Sequence, residues 1–349
     1  MIKEHNIIQV IRRLSSITIR SLDSFFFSTN AKASEAPYIR DAVDLKRYMV
    51  TVLICLMPTM LAGLYLYGLR VLAVIAVSYI FGVGSELVFA AWRRQEELHE
   101  GAFVTCMIYA LILPPTVPLW IVAVGIVFGT VFAKELFGGT GKNIFNPAMA
   151  GRIFISLAFP EDMTMYWIMP FDTSLPAGLG AWIGDTVTCA TALAIDKAEL
   201  SLRSLFWGQV PGCIGETVKP LIIAGGLGLM FTKVSNWRIP LTFVISAMVT
   251  ATAFHMFDPD TYPSAWFHLL SGGFLFAAAF MVSDPVTSPL TRAGKWYCGI
   301  MMGVLTIVIR TCTGYDEGVM FAVIIANTFS PLIDHLVIAY KFRKIKNAH

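Results

Sequence analysis

Long uncharged apolar stretches alternate along the chain with short polar joints. A helix that crosses a bilayer needs about 20 apolar residues, and that length picks out the elements. Tyr48–Leu69 carries no charge and predicts span 1. Val71–Trp92 predicts span 2, with Glu86 as its only charge. Ala102–Ala133 is uncharged for 32 residues, too long for one ordinary span. It contains Pro114-Pro115-Thr116-Val117-Pro118, which a continuous helix does not accommodate. A short span 3 and a span 4 are therefore expected to meet at this break. Ile144–Phe159 predicts a short span 5, interrupted by Asn146-Pro147 and Arg152. A weakly apolar interval follows, roughly Pro160–Arg203. Beyond it come span 6 (about Val218–Thr232), span 7 (Ile239–Phe257), span 8 (Trp266–Ser283), span 9 (Trp296–Arg310) and span 10 (Gly318–Tyr340).

The pattern predicts an all-α polytopic membrane protein of about ten transmembrane helices, five on each side of the weakly apolar interval. Residues 1–47 form an N-terminal segment, 48–159 a first membrane half, 160–217 a loop, 218–340 a second half and 341–349 a basic tail. Asn143-Ile144-Phe145-Asn146-Pro147 recurs as Asn327-Thr328-Phe329-Ser330-Pro331, and Leu113–Leu119 has a loose echo in Asp284–Leu290. An odd number of spans per half gives the halves opposite orientation. Two inverted five-helix repeats with broken helices are the expected fold, the arrangement of a transport pathway near the midplane.

Composition removes the soluble alternatives. Hydrophobic residues make up 56% of the 349 and charged residues 14%, with a mean hydropathy of +0.68. A soluble domain carries about a quarter charged residues. The net charge of +3 is too small to indicate nucleic acid as a partner. Six scattered cysteines, with no Cys-x-x-Cys pair, point to neither a disulfide framework nor a metal site. No cleavable signal peptide is evident over Met1–Thr51. Asn6–Phe27 mixes Ile, Val and Phe with Arg12, Arg13 and Arg20, and reads equally as a helix lying on the membrane surface or as a basic tail. With both termini cytoplasmic, 21 of the 26 basic residues fall on the inner side, Arg152 among them. Arg70, Lys197, Arg203, Lys219 and Arg310 fall outside, and the asymmetry puts the 160–217 loop outside the cell.

Candidate chemistry is sparse. Gly138-Gly139-Thr140-Gly141-Lys142-Asn143 lacks the phosphate-loop spacing and follows a membrane helix, which excludes nucleotide hydrolysis. A tight turn, whose N–H groups are free to line an anion or a flavin, is the expectation. Ionisable residues within spans are expensive and default to functional candidates. Glu86, Asp284 and Asp334 are the ion-pathway candidates, each with the alternative of a solvated interfacial position. Carboxylate oxygens there suit a hard cation such as Na⁺. No histidine pair has metal-ligand spacing, and no Ser-His-Asp arrangement occurs. The hydroxyl-rich stretch Asp185-Thr186-Val187-Thr188-Cys189-Ala190-Thr191 reads, from residue types alone, as a helix N-cap.

The chain resembles the NqrB membrane component of the sodium-translocating NADH:quinone oxidoreductase and, more distantly, the RnfD component of the Rnf ferredoxin:NAD complex. The likeness rests on Arg40–Arg47, Leu113–Thr116, Phe137–Asn143, Asn146–Arg152, Pro211–Glu216, Ser283–Val286 and Gly294–Trp296. It runs over nearly all of residues 40–340.

The resemblance implies a redox role. The family joins FMN through its phosphate to the threonine ending an Asp-x-x-Ser/Thr-Gly-Ala-Thr pattern. Here Asp185, Thr188, Ala190 and Thr191 fit, with Thr191 as acceptor and Cys189 where the family usually has Gly. The resemblance further implies a non-covalent riboflavin, ubiquinone as substrate and Na⁺ as transported ion. Gly82 and Gly84 become quinone-near candidates. The implied partners are the A, C, D, E and F components of a six-subunit complex in the bacterial inner membrane, a flavin transferase and membrane lipid. A passive channel is the competing reading, since Asn146-Pro147-Ala148 is the aquaporin-type tripeptide.

Overall fold

In a computed structural model of the chain, the described residues are 45–94, 100–170, 181–182, 201–313, 315 and 317–346. The expected surface helix at 6–27 and the whole of Asp185–Thr191 lie outside them. Among the described residues the structure is helical throughout, without strands.

Helix α1 (Leu45–Tyr67) turns through Gly68-Leu69 into α2 (Arg70–Trp92). Gly68 adopts φ +91° with the Ala181 carbonyl against it, where a Cβ would collide. Next come α3 (Gly101–Leu111) and α4 (Leu119–Ala133), separated by the Pro-rich break. The carbonyls of Leu111 and Leu113, freed by that break, accept hydrogen bonds from Gly215 and Ile214. Irregular backbone inside a membrane protein is stable only with such internal partners. Asn146 caps α5 (Pro147–Ala158): its side chain accepts from Ala148 N–H, and Pro147 occupies the first helical position. Short helices α6 (Pro160–Thr164) and α7 (Leu202–Trp207) border the 160–217 interval.

The second half begins with α8 (Lys219–Phe231) and α9 (Arg238–Phe257), followed by two short helices, α10 (Ala265–Leu270) and α11 (Phe274–Phe280). Helix α12 (Arg292–Cys312) is capped by Thr291, and α13 (Val319–Lys346) runs six residues into the basic tail.

Among the described residues, six helices are long and apolar enough to cross a bilayer: α1, α2, α4 with its following turn, α9, α12 and α13. Expected spans 3, 5 and 6 are the shorter α3, α5 and α8. The 12 residues of α5 cover about 18 Å at 1.5 Å per residue, against a hydrocarbon thickness of about 30 Å. Expected span 8 is not one helix. It breaks at Ser271-Gly272-Gly273, with Gly272 at φ +60°. Hydropathy is continuous across these residues and is blind to the interruption; the paired glycines carry the signal.

Helix approach is set by small residues. Gly125 and Gly129 of α4 lie against Gly151 and Pro147 of α5, and Gly299 and Gly303 of α12 lie against Thr242 and Ser246 of α9. Both are Gly-x-x-x-Gly pairs, which let helix backbones come close in lipid. Helix α1 packs on α8, and α5 packs on α13.

Candidate functional site

Among the described residues, two largely apolar cavities with polar groups in their walls lie towards opposite ends of the short helices. Lys219 of α8 lines one and Leu229 the other, about 15 Å apart along the helix at 1.5 Å per residue. Helix α5 likewise reaches one cavity with Asn146-Pro147 and the other with Arg152 and Ser156.

The loop-side cavity, about 270 Å³, borders the 160–217 interval. Trp167, Met163, Leu205, Met320 and Phe321 give it apolar walls. Its polar end is a buried ion cluster. Arg152, 5% exposed, bonds Glu216 through Nη1 at 3.3 Å, and through Nη2 the Glu317 carboxylate and, at 3.3 Å, the Cys213 sulfur. Lys219 Nζ donates to the carbonyls of Glu216 and Gly272. Glu317 also accepts from Gly273 N–H at 2.9 Å. Burial, followed by the neighbouring Glu317 charge, pushes the Glu216 carboxyl above the ordinary range. Among the described residues, Arg152 Nε has no acceptor.

The loop is tied to this end of the molecule. Leu69 and Arg70 N–H donate to the carbonyls of Ala181 and Trp182. Arg70 reaches on to the carbonyls of Thr116 and Val117, and the Thr116 hydroxyl bonds the Tyr166 carbonyl next to Trp167. Three residues before Asp185, the chain is therefore held against the α1–α2 turn.

The far-side cavity is smaller, about 80 Å³, room for about two or three waters at about 30 Å³ each. Asp284 lines it, accepting from Val286 N–H at 3.1 Å, Thr287 Oγ1 at 3.2 Å and Asn146 Nδ2 at 3.5 Å. Burial raises its carboxyl above the ordinary range. Ser235 and Ser283 share a hydrogen bond of 2.8 Å on the same wall. Lys134 also lines this cavity and pairs at 2.5 Å with Glu86; both are buried. Next to it, Arg93 pairs with Glu135 at 2.8 Å.

The predicted residues thus separate. Asp284 faces a cavity; Glu86 touches one only through Lys134. Asp334 lies away from both: it accepts from Leu290 N–H, Thr291 N–H and Thr291 Oγ1, and so latches α13 to the start of α12. Gly82 is buried where a Cβ would strike Cys106 and Ile126, whereas a Cβ at Gly84 meets nothing within 4 Å. Arg152, counted with the inner residues, and Lys219, counted with the outer ones, meet in a single cluster. The sequence held a signal for the cluster, since an arginine inside a short apolar helix is costly unless it has partners.

The NQR2, RnfD, RnfE family matches residues 32–343. The chain belongs to that family. Among its relatives, the B subunit of the Na(+)-translocating NADH-quinone reductase of Klebsiella pneumoniae (strain 342) is 34% identical, the alignment covering 93% of this chain and 92% of the relative. The protein of the same name from Chromohalobacter salexigens is 34% identical over 93% of this chain and 89% of its own. That of Neisseria meningitidis serogroup B is 32% identical over 93% and 91%. As a family member, this chain is a membrane subunit of a Na⁺-translocating NADH-quinone reductase or Rnf-type complex, and the remaining subunits of that complex are its partners.

Proposed function

We propose that this chain is the flavin-bearing NqrB component of a Na⁺-pumping NADH:ubiquinone oxidoreductase, with FMN joined to Thr191. The observation that carries the reading is the Asp185–Thr191 motif in a chain 34% identical to an NqrB protein over 93% of its length. The bound flavin would supply the one- and two-electron chemistry, while the protein supplies position and electrostatics. Thr191 provides the hydroxyl for the phosphoester. Ala181 and Trp182, which precede the motif in the chain, are hydrogen-bonded to the α1–α2 turn. The A, C, D, E and F components and a flavin transferase complete the system. The termini lie in the cytoplasm and the motif faces outwards.

The far-side cavity is the cation end in this reading. Asp284 and the Ser235 and Ser283 hydroxyls offer the oxygen ligands that a hard cation prefers, and the small volume suits an ion with a little water. A non-covalent riboflavin there requires the cavity to widen several-fold. The inverted repeat is supported by helix pairing: equivalent helices meet as α1 on α8 and α5 on α13, and the equivalent α4 and α12 each carry Gly-x-x-x-Gly.

A denaturing gel under ultraviolet light tests the flavin reading. Protein matured in its native host gives a fluorescent band that disappears in Thr191→Ala; a dark wild-type band leaves the passive channel standing. For the cation end, Asp284→Asn slows Na⁺-stimulated turnover with the fluorescent band intact. Unchanged sodium dependence removes Asp284 from the ion path.

A further inference from the structure

We propose that the exposed groove between α9 and α12 binds one anionic phospholipid, with its phosphate among Arg238, Arg292 and Lys295 and an acyl chain along the two helices beyond them.

The packing of α9 on α12 builds the groove. Gly299 lies against Ile239 and Thr242, and Gly303 against Phe243 and Ser246, so the helices run parallel and start at one level. The absence of a Cβ at both glycines lets the backbones come close. The two starts are joined by an edge-to-face contact of Trp237 with Trp296, ring centroids 6.0 Å apart at 88°. The segments leading into them leave the wall of the far-side cavity, at Val234-Ser235 and at Pro285-Val286. The groove residues themselves line neither cavity.

Three layers along the groove match a phospholipid. Arg238, Arg292 and Lys295 stand in the first turns of the two helices. Trp237 and Trp296 follow at the same level, 47% and 38% exposed. Leu241 and Ile300, also exposed, come four residues after the tryptophans, about 6 Å further at 1.5 Å per residue. Tryptophan favours the headgroup level of a bilayer. That level puts the cations among phosphates and the two aliphatic side chains among acyl chains.

The positive charge is not relieved from within. Among the described residues no carboxylate pairs with any of the three cations. Asp334, which latches α13 to the start of α12, is turned to Leu290 and Thr291. Arg238 stacks instead on Trp237, its guanidinium 5.0 Å from the ring centroid. Neither first turn holds an acidic residue, although the helix dipole favours an anion there and disfavours a cation. A phosphate diester supplies that anion, and the planar fork of arginine matches its oxygens. A zwitterionic headgroup brings its own ammonium and leaves the excess charge standing. An acidic protein partner would answer the cations but not the exposed Leu241 and Ile300, which lie at acyl depth.

Fluorescence of the intact complex in phosphatidylcholine bilayers tests the assignment. The bilayers carry phosphatidylglycerol brominated on its acyl chains or, as control, phosphatidylcholine brominated in the same way. Bromine quenches tryptophan on contact, and the difference between each protein and the same protein with Trp237→Phe and Trp296→Phe isolates the two rings of the groove. At equal dose the brominated phosphatidylglycerol quenches that difference more strongly. Arg292→Gln weakens the preference about fivefold, the factor that corresponds to about 1 kcal/mol per basic residue at a membrane surface. Arg238→Gln, Arg292→Gln and Lys295→Gln together abolish it, and added salt reduces it. Arg292 is exposed, so the single variant decides if the triple one does not assemble. Equal quenching by the two lipids means ordinary boundary lipid and overturns the proposal. So does quenching by neither, which means that another subunit covers the groove. A preference that survives in Arg292→Gln at full strength places the anion elsewhere and overturns it as well.

Discussion

The two cavities handle buried charge on opposite plans. On the loop side one guanidinium serves two carboxylates and a thiol, and Lys219 leans on backbone carbonyls, so no single contact is the whole support of any ion. On the far side Lys134 and Glu86 form a one-to-one pair, buried to 2% and 4% exposure. A shared network loses one strand at a time and can lend a donor to a ligand. An exclusive pair fails whole. The first plan suits a place where charge changes during turnover; the second suits a fixed joint, here between α2 and the end of α4.

The largest effect should therefore come from breaking the exclusive pair. Glu86→Ala strands a buried ammonium, and removing one partner of a buried pair costs about 3–5 kcal/mol. Thermal unfolding of the detergent-solubilised protein should show this as the greatest loss in the series. Joint replacement by Glu86→Met and Lys134→Met should recover most of it. Equal losses in the single and double variants would mean that the pair is not exclusive.

Glu216→Gln should cost less, about 1.5–3 kcal/mol for hydrogen bonds to charged groups, because Arg152 keeps Glu317. The pH profile sharpens the contrast. The folded protein raises the Glu216 carboxyl, through burial first and Glu317 second. A group raised on folding stabilises fully below its unfolded value, and that contribution is lost as pH climbs through the folded value. Wild-type stability should thus carry a downward slope from the ordinary carboxylate range towards neutrality, and Glu216→Gln should flatten it. A slope that persists in the variant assigns it to another group.

What the sequence could reveal follows the same division. Spans built from uninterrupted apolar runs are legible because lipid enforces them, and the Pro114–Pro118 break because proline forbids a helix there. The break at Ser271–Gly273 lies within an apolar run and is visible only through its glycines. Charge is legible as cost but not as partnership. Arg152, Glu216 and Glu317 lie far apart along the chain, and only the packing of α5 against α13 and of the segment before α8 brings them together. A count by loop sends Arg152 and Lys219 to opposite sides, whereas the packing brings both to Glu216.

Asn146 gives the finest discrimination. Its side-chain oxygen caps α5 through Ala148 N–H at 3.1 Å, while its amide nitrogen lies 3.5 Å from Asp284. Asn146→Ala should lose the cap, about 1 kcal/mol, together with the long contact to Asp284. Asn146→Asp keeps the cap but sets a second carboxylate against Asp284. Like charges at that separation favour holding a proton, so stability should match wild type at low pH and fall as the site is forced to ionise. A cation bound between the two carboxylates offsets the repulsion. Melting temperatures at fixed ionic strength should therefore rise when Na⁺ replaces K⁺ in Asn146→Asp, by more than in wild type. If the two ions act identically in both proteins, this end of the molecule merely buries a carboxylate, and the division of labour between the cavities is lost.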